Sequence, residues 1–116
     1  MSKTQFDLAL SLDELRPLLE SAASESGVVL DFLMRKWNGR FATYNVGRPT
    51  EEIFDTRRSV HHQARYYKLL GRLKANTRGD LLHLSLHPPT SCDLTPTAEE
   101  ERLWQQFVQT LTSRFE

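Results

Sequence analysis

Apolar residues recur at Leu12, Leu15, Leu18, Leu19, Ala22 and Ala23, the three- and four-residue spacing that lines one face of an α-helix. Ser11 followed three residues later by Glu14 forms a capping-box signature, and Gly27 offers a left-handed terminator. The spacing therefore predicts a helix over about 12–25. Pro17 interrupts it near the first turn, where a missing N–H is best tolerated. Ahead of the helix, Phe6, Leu8 and Leu10 alternate with polar or small residues, as in a short strand or an extended lead-in packed beneath the helix.

From Val28 the period changes to two. Val28, Leu30, Phe32 and Met34 alternate within VVLDFLMRKW, and Asn38-Gly39 is a strong turn signal because both residues accept positive φ. A return strand over about 40–46 follows, then a loop or a single helical turn over 47–56. The next stretch has two readings. As a strand over about 64–75, Tyr67, Leu69, Gly71, Leu73 and Ala75 face one way and Lys68, Arg72 and Lys74 the other. As a helix over 50–76, Ile53, Val60, Ala64, Tyr67 and Leu70 share a stripe. The strand is preferred because its alternation is unbroken.

After the turn TRGD, Leu82, Leu84 and Leu86 alternate with His83, Ser85 and His87, which predicts a half-buried strand paired in a hairpin with the one before it. PPTSCDLTPT is loop by composition. Thr97 with Glu100 forms a second capping box, and Leu103, Trp104, Phe107, Val108, Leu111 and Phe115 give the C-terminal segment a wide apolar stripe. The expectation is one α+β domain over residues 1–116: an antiparallel sheet of three to five strands, with N- and C-terminal helices on one face and the other face open. The helical reading of 50–76 would instead give a ferredoxin-like βαββαβ fold with a C-terminal helix.

The formal net charge of zero conceals a pattern. Residues 1–34 carry two basic and six acidic side chains, and residues 79–116 repeat those counts. Between them stand eleven basic residues, Arg35, Lys36, Arg40, Arg48, Arg57, Arg58, Arg65, Lys68, Arg72, Lys74 and Arg78, against three acidic ones. Between Asp55 and Asp80 there is no acid, while Tyr66 and Tyr67 add stackable rings. Cationic forks, lysines and rings together suit a sugar-phosphate backbone, although exposed Lys and Arg also keep a sheet soluble and blunt its edges.

Catalytic and metal signatures are weak by comparison. His83 and His87 share a strand face but stand roughly 13 Å apart, too far for one metal ion, and His61 and His62 would point oppositely if extended. HLSL matches one half of the paired motif of two-histidine phosphoesterases, without a second copy. The single cysteine, Cys92, has no partner for an internal disulfide. No metal, no cofactor and no catalytic residue is expected. With no long apolar run and no secretory-type start, the expected location is cytoplasmic, with no membrane association.

A capped helix, a glycine, a strand ending in MRKWNGR, a basic loop, the hairpin YKLLGRLKANTRGDLLHLSL and a helix with RLWQQF together resemble the small Alu-domain proteins of the signal recognition particle, especially the 14 kDa member. The resemblance covers most of the chain in order and pattern. It implies an α-β-β-β-α protein paired with a similar subunit, whose joined sheet and basic loops grip folded RNA. Arg35 and Lys36 match the basic pair ending the family's first strand; Arg40, Arg57 and Arg58 fall within its basic loop; Arg72, Lys74 and Arg78 lie on the following hairpin. With Arg65 and Lys68 from the acid-free stretch, these form the candidate RNA-binding set of a non-enzymatic module acting as a homo- or heterodimer. The rival reading is a protein-interaction module, secretion-chaperone-like or immunity-type, whose basic face meets an acidic partner. A small hydrolase using His83 is a third.

Overall fold

The computed structural model describes residues 4–36, 39–55, 64–88 and 97–115, with the backbone alone for 51–55 and 64–66. Seven elements follow in order: β1 (Gln5–Leu8), α1 (Leu12–Ser26), β2 (Val29–Lys36), β3 (Phe41–Asp55), β4 (Ala64–Arg78), β5 (Leu81–His87) and α2 (Ala98–Phe115). The strands form one antiparallel sheet in the order β1-β5-β4-β3-β2, and both helices cover the same face. The predicted α+β architecture with an open sheet face is what the chain adopts. The ferredoxin-like alternative is overturned, because strands occupy 41–55 and 64–78 where it requires a helix. The loop or helical turn expected over 47–56 is corrected for the same reason: β3 runs on to Asp55, paired with β4.

Local chemistry sets the boundaries of α1. Ser11 Oγ accepts from the Glu14 N–H at 3.1 Å, and the Ser11 N–H donates to Glu14 Oε1 at 3.2 Å, so each residue satisfies an otherwise unpaired helix-end donor. Gly27 ends the helix at φ 72°. Pro17 sits inside α1 on an exposed position. The lead-in Gln5–Leu8 is a true strand that pairs with β5 and buries Phe6 and Leu8. On the covered face, Leu15, Leu19 and Ala22 of α1 and Phe107 and Leu111 of α2 pack on Tyr44, Leu73, Leu82 and Leu84. Phe6 meets Phe115 edge-on at 5.4 Å, and Phe32 meets Tyr44 at 5.3 Å. Arg114 with Glu25, and Ser26 with Thr110 at 3.2 Å, tie the two helices together. Among the described residues no helix is long and apolar enough to cross a membrane.

Two irregularities of register overturn the simple alternation. In β2, Phe32 pairs with Tyr44 but Met34 with Thr43, so the extra residue Leu33 reverses the faces beyond it. Leu30 and Phe32 pack against the core, whereas Met34, expected beside them, turns to the open face and is 42% exposed. In β4, Gly71 pairs with Val46 but Leu69 with Gly47, leaving Leu70 as the extra residue. Leu70, Gly71, Leu73 and Ala75 are buried on the helix side, while Tyr67 and Leu69, predicted to join them, belong to the opposite face. A slip of one residue exchanges every side chain between faces.

Candidate nucleic-acid interface

The bulge at Leu70 decides which basic residues act together. C-terminal to it, Arg72, Lys74 and, by the same alternation, Arg78 stand on the open face, opposite Leu73 and Ala75. N-terminal to it, Lys68 pairs with Arg48 on the helix side. The expectation that Lys68, Arg72 and Lys74 share a face is therefore corrected. Lys68 Nζ lies 3.0 Å from both Glu100 carboxylate oxygens, and Arg48 Nε lies 3.4 Å from Oε2. Glu100, only 2% exposed, also accepts the Thr97 N–H at 2.9 Å, while its own N–H donates to Thr97 Oγ1 at 3.2 Å, completing the second predicted capping box. Burial opposes its charge, but the Thr97 backbone bond and Lys68 prevail and hold the carboxyl down to about 2.

Arg35 is likewise displaced from the expected set. The bulge at Leu33 pairs it with Ala42 on the helix side, where it donates to Asp13 Oδ1 at 2.8 Å. Lys36, paired with Phe41, faces the open side, and Arg40 is exposed in the adjoining turn. Arg65 lies on β4 opposite Phe54, described there by backbone alone. Arg57 and Arg58, with His61, His62, Cys92 and the rest of 89–96, the stretch expected as loop, lie outside the described residues.

Charge is thus segregated by face. On the helix side, Arg16 bonds Glu20 at 3.0 Å, Arg35 bonds Asp13, Arg48 and Lys68 share Glu100, and Arg114 meets Glu25. On the open side, Lys36, Lys74 and Arg78 have no carboxylate partner among the described residues, and Arg72 meets only an amide, Asn45 Oδ1, at 3.0 Å. Among the described strand residues, two acids on that face are engaged elsewhere: Asp7 Oδ1 lies 2.9 Å from His83 Nδ1, and Asp31 Oδ2 accepts from the Tyr67 hydroxyl at 2.7 Å.

Three features of the open face escaped sequence reasoning. Tyr67 lies flat over Gly47, whose missing side chain makes room for the ring; a Cβ there would come within 2.1 Å of Tyr67 Cδ2. The Tyr67 hydroxyl also accepts from Asn45 Nδ2 at 3.1 Å, so Asp31, Tyr67, Asn45 and Arg72 form one hydrogen-bonded chain across three strands. Ser85 and His87 of β5 are in contact, Oγ to Nε2 at 2.9 Å. The glycine at 47 and the polar alternation of β5 were the available signals.

Among the described residues no group of three or more His, Cys, Asp or Glu side chains is placed to hold a metal ion. No protein-family model, no curated protein and no solved structure matches the chain.

Proposed function

We propose that the chain is a non-enzymatic RNA-binding module whose open sheet face carries the phosphodiester backbone. The observation behind this reading is the segregation of charge. Four carboxylates on the helix side, Asp13, Glu20, Glu25 and Glu100, are paired with Arg35, Arg16, Arg114 and the Lys68–Arg48 pair, whereas Lys36, Arg72, Lys74 and Arg78 stand on the open side without a carboxylate partner among the described residues. Cations that merely solubilise a sheet need no such sorting. Cations that neutralise phosphates do. An open sheet backed by two helices is also the plan that the Alu-domain resemblance implies, and a cytoplasmic location accompanies the reading. The contact set is narrower than the sequence suggests: Arg35 and Lys68 drop out, while Lys36, Arg72, Lys74 and Arg78 remain, flanked by Arg40.

Fluorescence anisotropy with a structured RNA tests this. Four phosphate contacts predict a log–log salt slope of about −3, and Lys74→Ala should flatten it by about one unit. Arg35→Ala, on the other face, should leave it unchanged. Absence of binding at low salt, or equal losses from Lys74→Ala and Arg35→Ala, would overturn the proposal.

A second reading, pairing of the chain with a partner protein, is favoured by the free edge of the sheet. Edge strand β2 exposes Leu33 at 36% and Met34 at 42%, side by side, beyond the charges of Asp31, Arg35 and Lys36 and the bulge that partly blunt this edge. A homodimer through β2 should convert to monomer in Leu33→Lys/Met34→Lys, read by sedimentation equilibrium. A wild-type chain that sediments as a monomer at high concentration removes homodimerisation.

A further inference from the structure

We propose that Arg72, Lys74, Ser85 and His87, assembled by the register of β4 and β5, form a seat for a single phosphate group, and that proton uptake by His87 tightens its grip. The proposal rests on the RNA reading for the source of that phosphate, a backbone phosphodiester, but the seat itself stands on local geometry.

Antiparallel pairing sets Arg72 directly across from His87 and Lys74 directly across from Ser85. Cross-strand Cβ atoms on one face are about 5 Å apart, and successive same-face residues along a strand about 7 Å apart. The four side chains therefore enclose a patch of the size one phosphate needs. Arg72 and His87 are already oriented. Arg72 spends Nε on Asn45 Oδ1 at 3.0 Å, which leaves its terminal amino groups to bind anionic oxygens. Asn45 is itself fixed by Tyr67, and Tyr67 by Asp31. Ser85 Oγ lies 2.9 Å from His87 Nε2 and 3.3 Å from the Lys74 carbonyl oxygen, so it positions the imidazole and anchors it to β4.

Among the described residues no free anion faces His87 to balance the patch. From β4 it faces Arg72 and Lys74; from its own strand, Ser85; β1 contributes Gln5 opposite Ser85 and Asp7 opposite His83, where Asp7 is engaged. Desolvation first, and then the charges of Lys74 and Arg72, hold His87 below its ordinary value of 6.5. An unliganded patch thus keeps the ring neutral near pH 7. A phosphate would reverse that repulsion. The protonated ring donates from Nε2 to Ser85 Oγ and presents Nδ1–H as a further donor beside two fixed cations. Binding is accordingly coupled to proton uptake, and affinity rises as pH falls through the range below 6.5.

The test is an NMR titration of the imidazole resonances of the full chain, in sodium chloride, in sodium phosphate of equal ionic strength, and with RNA. The expected result is a rise of about one pH unit in His87 with phosphate or RNA, equivalent to about tenfold tighter binding to the protonated form. In parallel, RNA affinity should gain a matching increase at low pH that disappears in His87→Gln while the affinity near pH 7 persists, and Ser85→Ala should diminish it. If RNA binds but His87 does not respond, and His87→Gln keeps the wild-type pH profile, the seat is wrong and the RNA reading survives. If RNA fails to bind while inorganic phosphate still raises His87, the RNA reading falls and the seat stands as a small-anion site.

Discussion

Gly71→Ala should lower stability by about 2 kcal/mol, and Gly71→Val by more, although Gly71, next to the bulge at Leu70, has no positive φ that would call for glycine. A Cβ at position 71 would lie 2.5 Å from Trp104 Cη2 and Cζ3 and 2.9 Å from the His87 carbonyl oxygen. Neither neighbour yields easily. Trp104 is 8% exposed and packs beside Phe107 at a centroid separation of 6.2 Å, and the carbonyl belongs to the neighbouring strand. Relief requires α2 to lift away from β4. The gain of roughly 0.5–1 kcal/mol from reduced unfolded-state freedom is smaller than an overpacking cost of about 1–3 kcal/mol. Urea unfolding should therefore show a lower midpoint with an unchanged slope, accompanied by a change in native tryptophan fluorescence. Wild-type stability in Gly71→Ala would mean that Trp104 is not seated on this glycine.

The same glycine marks where sequence reasoning succeeds and where it stops. Period and capping chemistry are local properties, so both helices were legible, as were the hairpin turn at Gly79-Asp80 and the alternation of Leu82, Leu84 and Leu86. Strand β4 was legible as a strand. Its faces were not, because Tyr67, Leu69, Gly71, Leu73 and Ala75 look continuous at period two, and only the partner strand reveals that Leu70 is an inserted residue. Charge was legible as a sum over the middle of the chain. Its distribution was not, since the acids that neutralise Arg35 and Lys68 are Asp13 and Glu100, 22 and 32 residues distant in sequence. The candidate interface thus shrank for a topological reason: two bulges carried basic residues to the side where the helices hold their carboxylates.

Glu100→Ala should cost about 3 kcal/mol, a large effect for a first-turn glutamate, and Glu100→Gln somewhat less. Removing the carboxylate leaves Lys68 and Arg48, whose side chains are 27% and 35% exposed, facing one another on the helix side without an anion. Partial exposure lets them recover some hydration, which puts the cost at the low end for a broken buried pair. Glutamine can still accept the Thr97 N–H and so retains the cap while losing the charge. The pH dependence follows from the same group. An unfolded carboxyl titrates near 4.5, while the folded one is held to about 2, so the fold gains stability above 4.5 and loses it progressively as pH falls toward 2. That difference corresponds to about 3 kcal/mol, which should be missing from the acid limb of Glu100→Gln. Replacing the partner as well, in Glu100→Gln/Lys68→Met, should recover part of the loss, because no lysine charge then remains uncompensated. RNA binding supplies the discriminating control: these side chains lie behind the sheet, so Glu100→Gln should leave the salt slope of a folded variant unchanged. A steeper slope would place Lys68 or Arg48 within reach of phosphate and would restore to the interface residues that the bulge at Leu70 removes from it.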